Sequence, residues 1–166
     1  MIRPRFSPSL SSLVVCLALT LACGGGGGGS SPAVPASVPA PYVRSAALSG
    51  GNEVPANASP AVATGQVSVN PTTLALTGSV VSTGLQGTAA HIHEGAVGVA
   101  GPVVITLTGG TGGIWTVPAG TVLTSAQYAS LQAGSYYFNV HSSTFPAGEI
   151  RGQLRAQTPQ DQAVRA

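Results

Sequence analysis

Short stretches of alternating apolar and polar residues, each ended by a turn, constrain the fold of this chain most strongly. Apolar residues recur at every second position in five stretches: residues 65–69, 74–80, 103–107, 136–140 and 150–154. Turn-forming Gly, Pro and Asn residues separate them, as at residues 70–71 and 101–102. Successive side chains of a strand point to opposite faces, so this period of two predicts half-buried strands. Roughly seven or eight such strands predict an all-β fold, an antiparallel Greek-key sandwich or barrel.

Residues 124–134 depart from this alternation. Thr124 is followed three positions later by Gln127, which is the spacing of a helix capping box, and Gly134 provides a helix end. The pattern predicts one short helix near residues 125–132.

Charge is scarce, because only 6% of the residues are charged and lysine is absent. Residues 42–156 contain three arginines and three glutamates, so their formal charges cancel: Arg44, Arg151, Arg155, Glu53, Glu94 and Glu149. A basic stripe that could neutralise phosphates is therefore missing, which excludes a nucleic-acid partner. Both cysteines lie in the first 25 residues. The folded part therefore has neither a disulfide nor a thiolate site.

The amino-terminal residues 1–22 resemble a secretory signal peptide. Two arginines precede an apolar run at residues 13–22, which is shorter than the ~20 residues that a membrane span needs. The run ends at Cys23 in a sequence that resembles a lipobox, although Thr20 stands where that motif usually has leucine. The resemblance implies Sec export, cleavage before Cys23 and lipidation of Cys23 as the first residue of the mature protein. Ordinary secretion with cleavage nearby is the alternative.

Residues 23–41 predict a tether, because six consecutive glycines are followed by a stretch rich in Pro, Ala and Ser. An acylated Cys23 would make the membrane a partner and place the protein in the cell envelope. In a Gram-negative cell, Gly24 rather than aspartate directly after the cysteine would indicate sorting to the outer membrane, by resemblance to such lipoproteins. Residues 42–156 form the predicted β domain, and the polar residues 157–166 predict a disordered tail.

The three histidines lie in two short motifs, and alternation predicts that they meet. If Ile92 points into the core, His91 and His93 project together from the other face. If Val140 is also internal, His141 projects outward from a second strand. Three imidazoles suit copper, zinc or nickel, and copper binds most tightly of the divalent series. We expect a site for copper, or alternatively zinc, with Glu94 as a possible fourth ligand. Surface histidines that only bond to loops are the competing interpretation.

The remaining charged residues occur in two motifs rich in Gly and Pro. Glu53 lies in residues 51–55, and Glu149 and Arg151 lie in residues 148–152. Charged residues that serve only solubility would be scattered over the strand faces. The placement of these three residues in Gly- and Pro-rich motifs therefore predicts that they have a structural role. Glu149 and Arg151 could form an ion pair, and Glu53 could cap a turn.

Five motifs in order resemble the CHRD domain, which is named after chordin. They are LSGGNEVP at residues 48–55, AHIHEG at 90–95, GP at 101–102, YFNVH at 137–141 and PAGEIRGQL at 146–154. The resemblance covers about residues 43–155. The family is thought to resemble copper/zinc superoxide dismutases with an immunoglobulin-like barrel. By that analogy His91, His93 and His141 would bind copper.

Departures from the dismutase pattern argue against that activity. A dismutase site needs four copper-side histidines and an aspartate for zinc, whereas residues 42–156 hold three histidines and no aspartate. A hydrolase is also disfavoured, because this stretch contains no nucleophile elbow and no aspartate to orient a base. Two functions remain: a metal-binding lipoprotein, or a non-catalytic surface module that binds a protein or glycan.

Overall fold

A computed structural model describes residues 39–157 of the chain. The predicted signal peptide, Cys23, most of the tether and nearly all of the tail lie outside these residues. Within residues 39–157, no helix is both long and apolar enough to cross a membrane.

The described part of the chain contains ten strands and one α-helix. The helix α1 spans Ser125–Gln132. In chain order the strands are β1 (Tyr42–Ser49), β2 (Val62–Val69), β3 (Leu76–Thr83), β4 (Gly87–Glu94), β5 (Val103–Thr106), β6 (Thr108–Gly109), β7 (Ile114–Thr116), β8 (Tyr136–Ser142), β9 (Ile150–Gln153) and β10 (Arg155–Ala156). Two single 3₁₀ turns cover Gly50–Asn52 and Thr111–Gly113.

All strands belong to one antiparallel sheet that forms a nearly closed barrel. The strand order is β5-β4-β8-β9-β1-β2-β3-β7-β6, and β10 also pairs with β1. The two edge strands of this order, β5 and β6, are separated in the chain by Leu107 alone. The backbone N–H of Leu107 still donates to Ala90 of β4. The chain therefore passes directly from one edge of the sheet to the other, and the all-β, antiparallel prediction is confirmed.

The barrel interior is filled by every second side chain, as the alternation predicts. In β8, Tyr136, Phe138 and Val140 are almost fully buried in the core. Gly65 of β2 faces the Phe138 ring so closely that an added Cβ would lie 2.6 Å from it. The core thus requires glycine at this position, where two facing strands approach.

The helix begins and ends where the sequence predicts. The Thr124 side chain accepts from the Gln127 N–H at 3.2 Å, and the Gln127 side chain accepts from the Thr124 N–H at 2.8 Å. Leu131 is buried in the core, and the Tyr128 ring packs edge-on against Tyr42 at 5.6 Å. Capping and packing together hold this short helix, which would be unstable alone.

Candidate metal centre

The three histidines lie together on the outer face of the barrel. Ala90 and Ile92 of β4 are each 1% exposed and point inward, so His91 and His93 point outward. Strand β8 pairs with β4, with Ala89 opposite His141 and His91 opposite Asn139. His141 is therefore the diagonal neighbour of His91 on the same face, which is the convergence that the alternation predicts.

The imidazole nitrogens approach the spacing that a shared metal ion requires. Nδ1 of His91 lies 3.0 Å from Nε2 of His141. One ligand nitrogen from each of the three histidines lies within 4.8 Å of the others. Nitrogens bound to one tetrahedral ion at ~2.0–2.1 Å would lie about 3.4 Å apart. The pair formed by His91 and His141 is already close to this value, and a side-chain movement of roughly 1 Å would bring in His93.

Backbone carbonyls orient two of the three rings. Nδ1 of His93 donates to the Gly101 carbonyl at 2.9 Å, and Nδ1 of His141 donates to that of Pro146 at 3.1 Å. Because a carbonyl only accepts, these Nδ1 atoms carry the hydrogens and the Nε2 atoms keep their lone pairs. Nε2 of His93 is buried and has no hydrogen-bond partner among the described residues. Such a bond on the second nitrogen is characteristic of metal-binding histidines.

The surroundings keep two imidazoles in the neutral form. Burial lowers the pKa of His91, and the neighbouring histidines lower it further. Burial is also the largest cause of the lowered pKa of His93; the bond to Gly101 opposes it, and the charge of Arg151 adds to it. Metal ions bind the neutral ring, so these shifts favour metal binding at neutral pH.

A three-layer stack braces His93, and the sequence does not reveal it. The Tyr137 ring lies parallel to His93, with centroids 5.0 Å apart and planes 10° apart. The Arg151 guanidinium carbon lies 3.5 Å from the centre of the Tyr137 ring. The Tyr137 hydroxyl accepts from the Gly101 N–H at 3.0 Å. Tyr137 and Gly101 therefore fix both the ring and the carbonyl that orient His93. The only signal in the sequence is that Tyr137 shares the alternation of His141.

Glu94 is not part of the histidine cluster. It ends β4 opposite Tyr136, a core residue, and alternation places it on the face away from His93. Burial raises the pKa of Tyr136 to about 12, and the charge of Glu94 contributes to the shift. The candidate ligand set is therefore His91, His93 and His141.

Glu149 and Arg151 each bind a loop of their own. The Glu149 carboxylate accepts from the Ser59 hydroxyl at 2.6 Å, and its backbone carbonyl accepts from the Asn57 amide at 3.0 Å. Arg151 donates to the Ala96 carbonyl at 3.0 Å. These contacts hold the chain segments before β2 and after β4 over the outer face of the sheet, where both side chains are nearly inaccessible.

Glu53 follows the Gly50–Asn52 turn, and its backbone N–H donates to the Gly50 carbonyl at 3.1 Å. Burial raises the pKa of its side chain to about 6, although Arg151 and the Val54 N–H act in the opposite direction. Its Oε1 atom is buried and has no hydrogen-bond partner among residues 39–157. One carboxylate oxygen of Glu53 is thus buried and unpaired within the described residues, while the Val54 N–H acts on the carboxylate beside the turn.

The fold and the cluster define a small antiparallel β-barrel with three histidines on its outer face. A family model for the CHRD domain matches residues 44–154. The chain therefore belongs to the CHRD domain family. Comparison with curated proteins and with solved structures finds no match.

Proposed function

We propose that this protein is an extracytoplasmic, membrane-anchored CHRD lipoprotein that binds a transition metal through His91, His93 and His141. One observation carries the metal proposal: three imidazoles from two strands converge, and carbonyl bonds to Nδ1 leave the lone pairs of His93 and His141 on Nε2. Nε2 of His93 has no partner among the described residues, whereas Nε2 of His141 accepts from Nδ1 of His91, a bond that an ion would replace. Folded strands position the rings before any ion arrives, which reduces the entropy that binding must overcome.

Copper fits this ligand set best, with zinc as the alternative. Imidazole is a good ligand for both ions, and copper stands above zinc in the divalent affinity series. The cluster contains no carboxylate, so the ligands themselves contribute no negative charge. Three ligands also leave a fourth position open to solvent or to a ligand that exchanges the metal. An open position of this kind is compatible with transfer of the ion to another ligand.

The metal proposal is tested by titrating the purified protein with Cu(II) and Zn(II) in a calorimeter. We expect one ion per chain. His93→Gln should weaken binding more than about 100-fold, since even the outer partners of metal ligands contribute 10–100-fold. Glu94→Gln is the matched control and should leave affinity unchanged, because its side chain lies on the other face. Affinity no tighter than millimolar, or affinity insensitive to His93→Gln, would contradict the proposal.

The anchor is supported by the sequence around Cys23 and by the glycine-rich stretch that follows it. Acylation would hold the barrel at a membrane surface after export. Metabolic labelling with palmitate should mark the protein, and Cys23→Ser should move it from the membrane fraction to the soluble fraction. Cys16→Ser is the control. Equal fractionation of the Cys23→Ser variant and the parent protein would exclude the anchor.

A surface-interaction module is the second candidate, supported by an apolar patch on another part of the barrel. Val62, Val81 and Ile114 are 52%, 44% and 49% exposed, and Val81 pairs with Ile114 across β3 and β7. Exposed apolar patches often mark sites of protein contact. If this is the function, the immobilised protein should capture one specific protein from an envelope extract. Val81→Ser should abolish this capture, and His93→Gln should not.

A further inference from the structure

A cleft of about 900 Å³ lies on the outer face of β1, and no histidine is among the described residues that line it. Its floor is made of small side chains, including those of Ser45, Ala47 and Thr64. Glu53 and Arg155 also line it. The cleft is therefore a site distinct from the histidine cluster.

Charged residues are concentrated in this cleft. Three of the six charged residues in residues 42–156 line it: Glu53, Arg151 and Arg155. Arg151 is 3% exposed and is held by Ala96 and the Tyr137 ring, so it forms part of the wall. Arg155 is exposed, and Glu53 is half-buried, with one carboxylate oxygen that is inaccessible and unpaired among residues 39–157. A pocket with a few convergent polar groups is typical of a ligand site.

The strand register sets the distance between the two ends of the cleft. Ser49 of β1 pairs with Arg151, and Ser45 pairs with Arg155. Four residues along a strand span about 13 Å. Glu53 lies at the Arg151 end, because its Oε1 atom and the Asn139 side chain both crowd Gly148, and Asn139 pairs with Arg151. A carboxylate thus stands at one end of the cleft, near the buried Arg151 guanidinium, and an exposed guanidinium stands at the other.

We propose that this cleft binds a short extended peptide, with its terminal ammonium on Glu53 and its terminal carboxylate on Arg155. An extended chain covers about 3.3–3.6 Å per residue, so three or four residues match the distance between the ends. The small residues of the floor leave room for the backbone of the peptide. The ammonium would lie against the part of the Glu53 side chain that lines the cleft, whereas the neighbouring Arg151 is held in the wall by Ala96. Burial raises the pKa of Glu53 to about 6, so this carboxylate is mostly ionised at neutral pH.

The test uses tetra-alanine as the probe, titrated into the purified protein by calorimetry near pH 7.5. We expect saturable binding, and blocking either terminus by acetylation or amidation should weaken it at least about tenfold. The Glu53→Gln variant should bind the acetylated and the free peptide with equal affinity, because the partner of the ammonium is gone. The Arg155→Gln variant should likewise bind the amidated and the free peptide with equal affinity, because the partner of the carboxylate is gone. Glu94→Gln, whose acid lies outside the cleft, is the matched control and should behave as the parent protein.

Several results would overturn the peptide proposal. They are no saturation in the millimolar range, equal affinity for free and doubly blocked peptides, and unchanged discrimination in both cleft variants. Circular dichroism and Cu(II) titration of each variant show whether the barrel and the histidine cluster are intact. Loss of peptide binding with intact copper binding supports the cleft as an independent site.

Discussion

Replacing Glu53 by glutamine should stabilise the protein at neutral pH, although the change removes a charge from a motif of the family. Burial raises the pKa of Glu53 from 4.5 to about 6. The folded state therefore holds the proton more tightly than the unfolded state. Each pKa unit corresponds to ~1.36 kcal/mol, so the ionised carboxylate costs the fold at most about 2 kcal/mol. Because the side chain is only partly buried, solvent screening reduces this cost to about 1 kcal/mol.

The sign of the effect follows from proton linkage. Below pH 4.5 the carboxyl group is protonated in both states, so ionisation carries no cost. Between pH 4.5 and about 6 the unfolded chain loses its proton first, and stability falls as the pH rises. Above this window Glu53 is ionised in both states, so the ionised carboxylate destabilises the folded protein by its full amount. Glutamine has no charge, so the gain from Glu53→Gln should grow across this window and then remain constant.

Urea unfolding of the metal-free parent and variant, from about pH 4 to pH 8, measures this gain. His91 and His93 have lowered pKa values, so they reduce stability as the pH falls below their ordinary value of 6.5. Both proteins contain them, and the difference between the two curves removes their contribution. A gain that is the same at both ends of the pH range, or a loss of stability at pH 8, would refute the reasoning.

Four further substitutions test the core, the helix cap and the two loops that approach the site. Phe138→Ala should lower the free energy of unfolding by about 3–5 kcal/mol in urea titrations, because its ring is fully buried. Gly148→Ala should cost about 1–3 kcal/mol in the same assay, because φ is +140° and the new Cβ would lie 2.6 Å from the Asn139 amide. Thr124→Ala removes a capping hydrogen bond and should cost about 1 kcal/mol, seen as a lower melting temperature. Gly101→Ala should weaken copper binding about 10–100-fold in calorimetry, because its Cβ would overlap the Glu94 carbonyl and displace the oxygen that orients His93.

The alternation of residues was enough to predict the barrel and the face on which the histidines lie. Ile92 and Val140 are apolar, and burying them fixes the direction of His91, His93 and His141 whatever the rest of the fold. The helix could be predicted equally well, because its cap is a local feature of the residues around Thr124. Local rules succeed where a side chain's direction depends only on its own strand or turn.

Contacts between distant segments could not be predicted in the same way. The stack of Arg151, Tyr137 and His93 depends on how β8 pairs with both β4 and β9. The cleft depends on the pairing of β1 with β9 and β10, about 100 residues later in the chain. Adjacency to His93 in the sequence makes Glu94 a candidate ligand, but neighbours in a strand point to opposite faces. The roles proposed for Cys23 and the amino-terminal segment stay predictions.

X-ray absorption of the copper- or zinc-loaded protein tests the metal centre most directly, because it reports the atoms bound to the ion. Three imidazole nitrogens at about 2.0–2.1 Å are expected in the parent protein, and two in His93→Gln. A shell of solvent oxygens, or a spectrum that His93→Gln leaves unchanged, would show that the three histidines do not hold the metal.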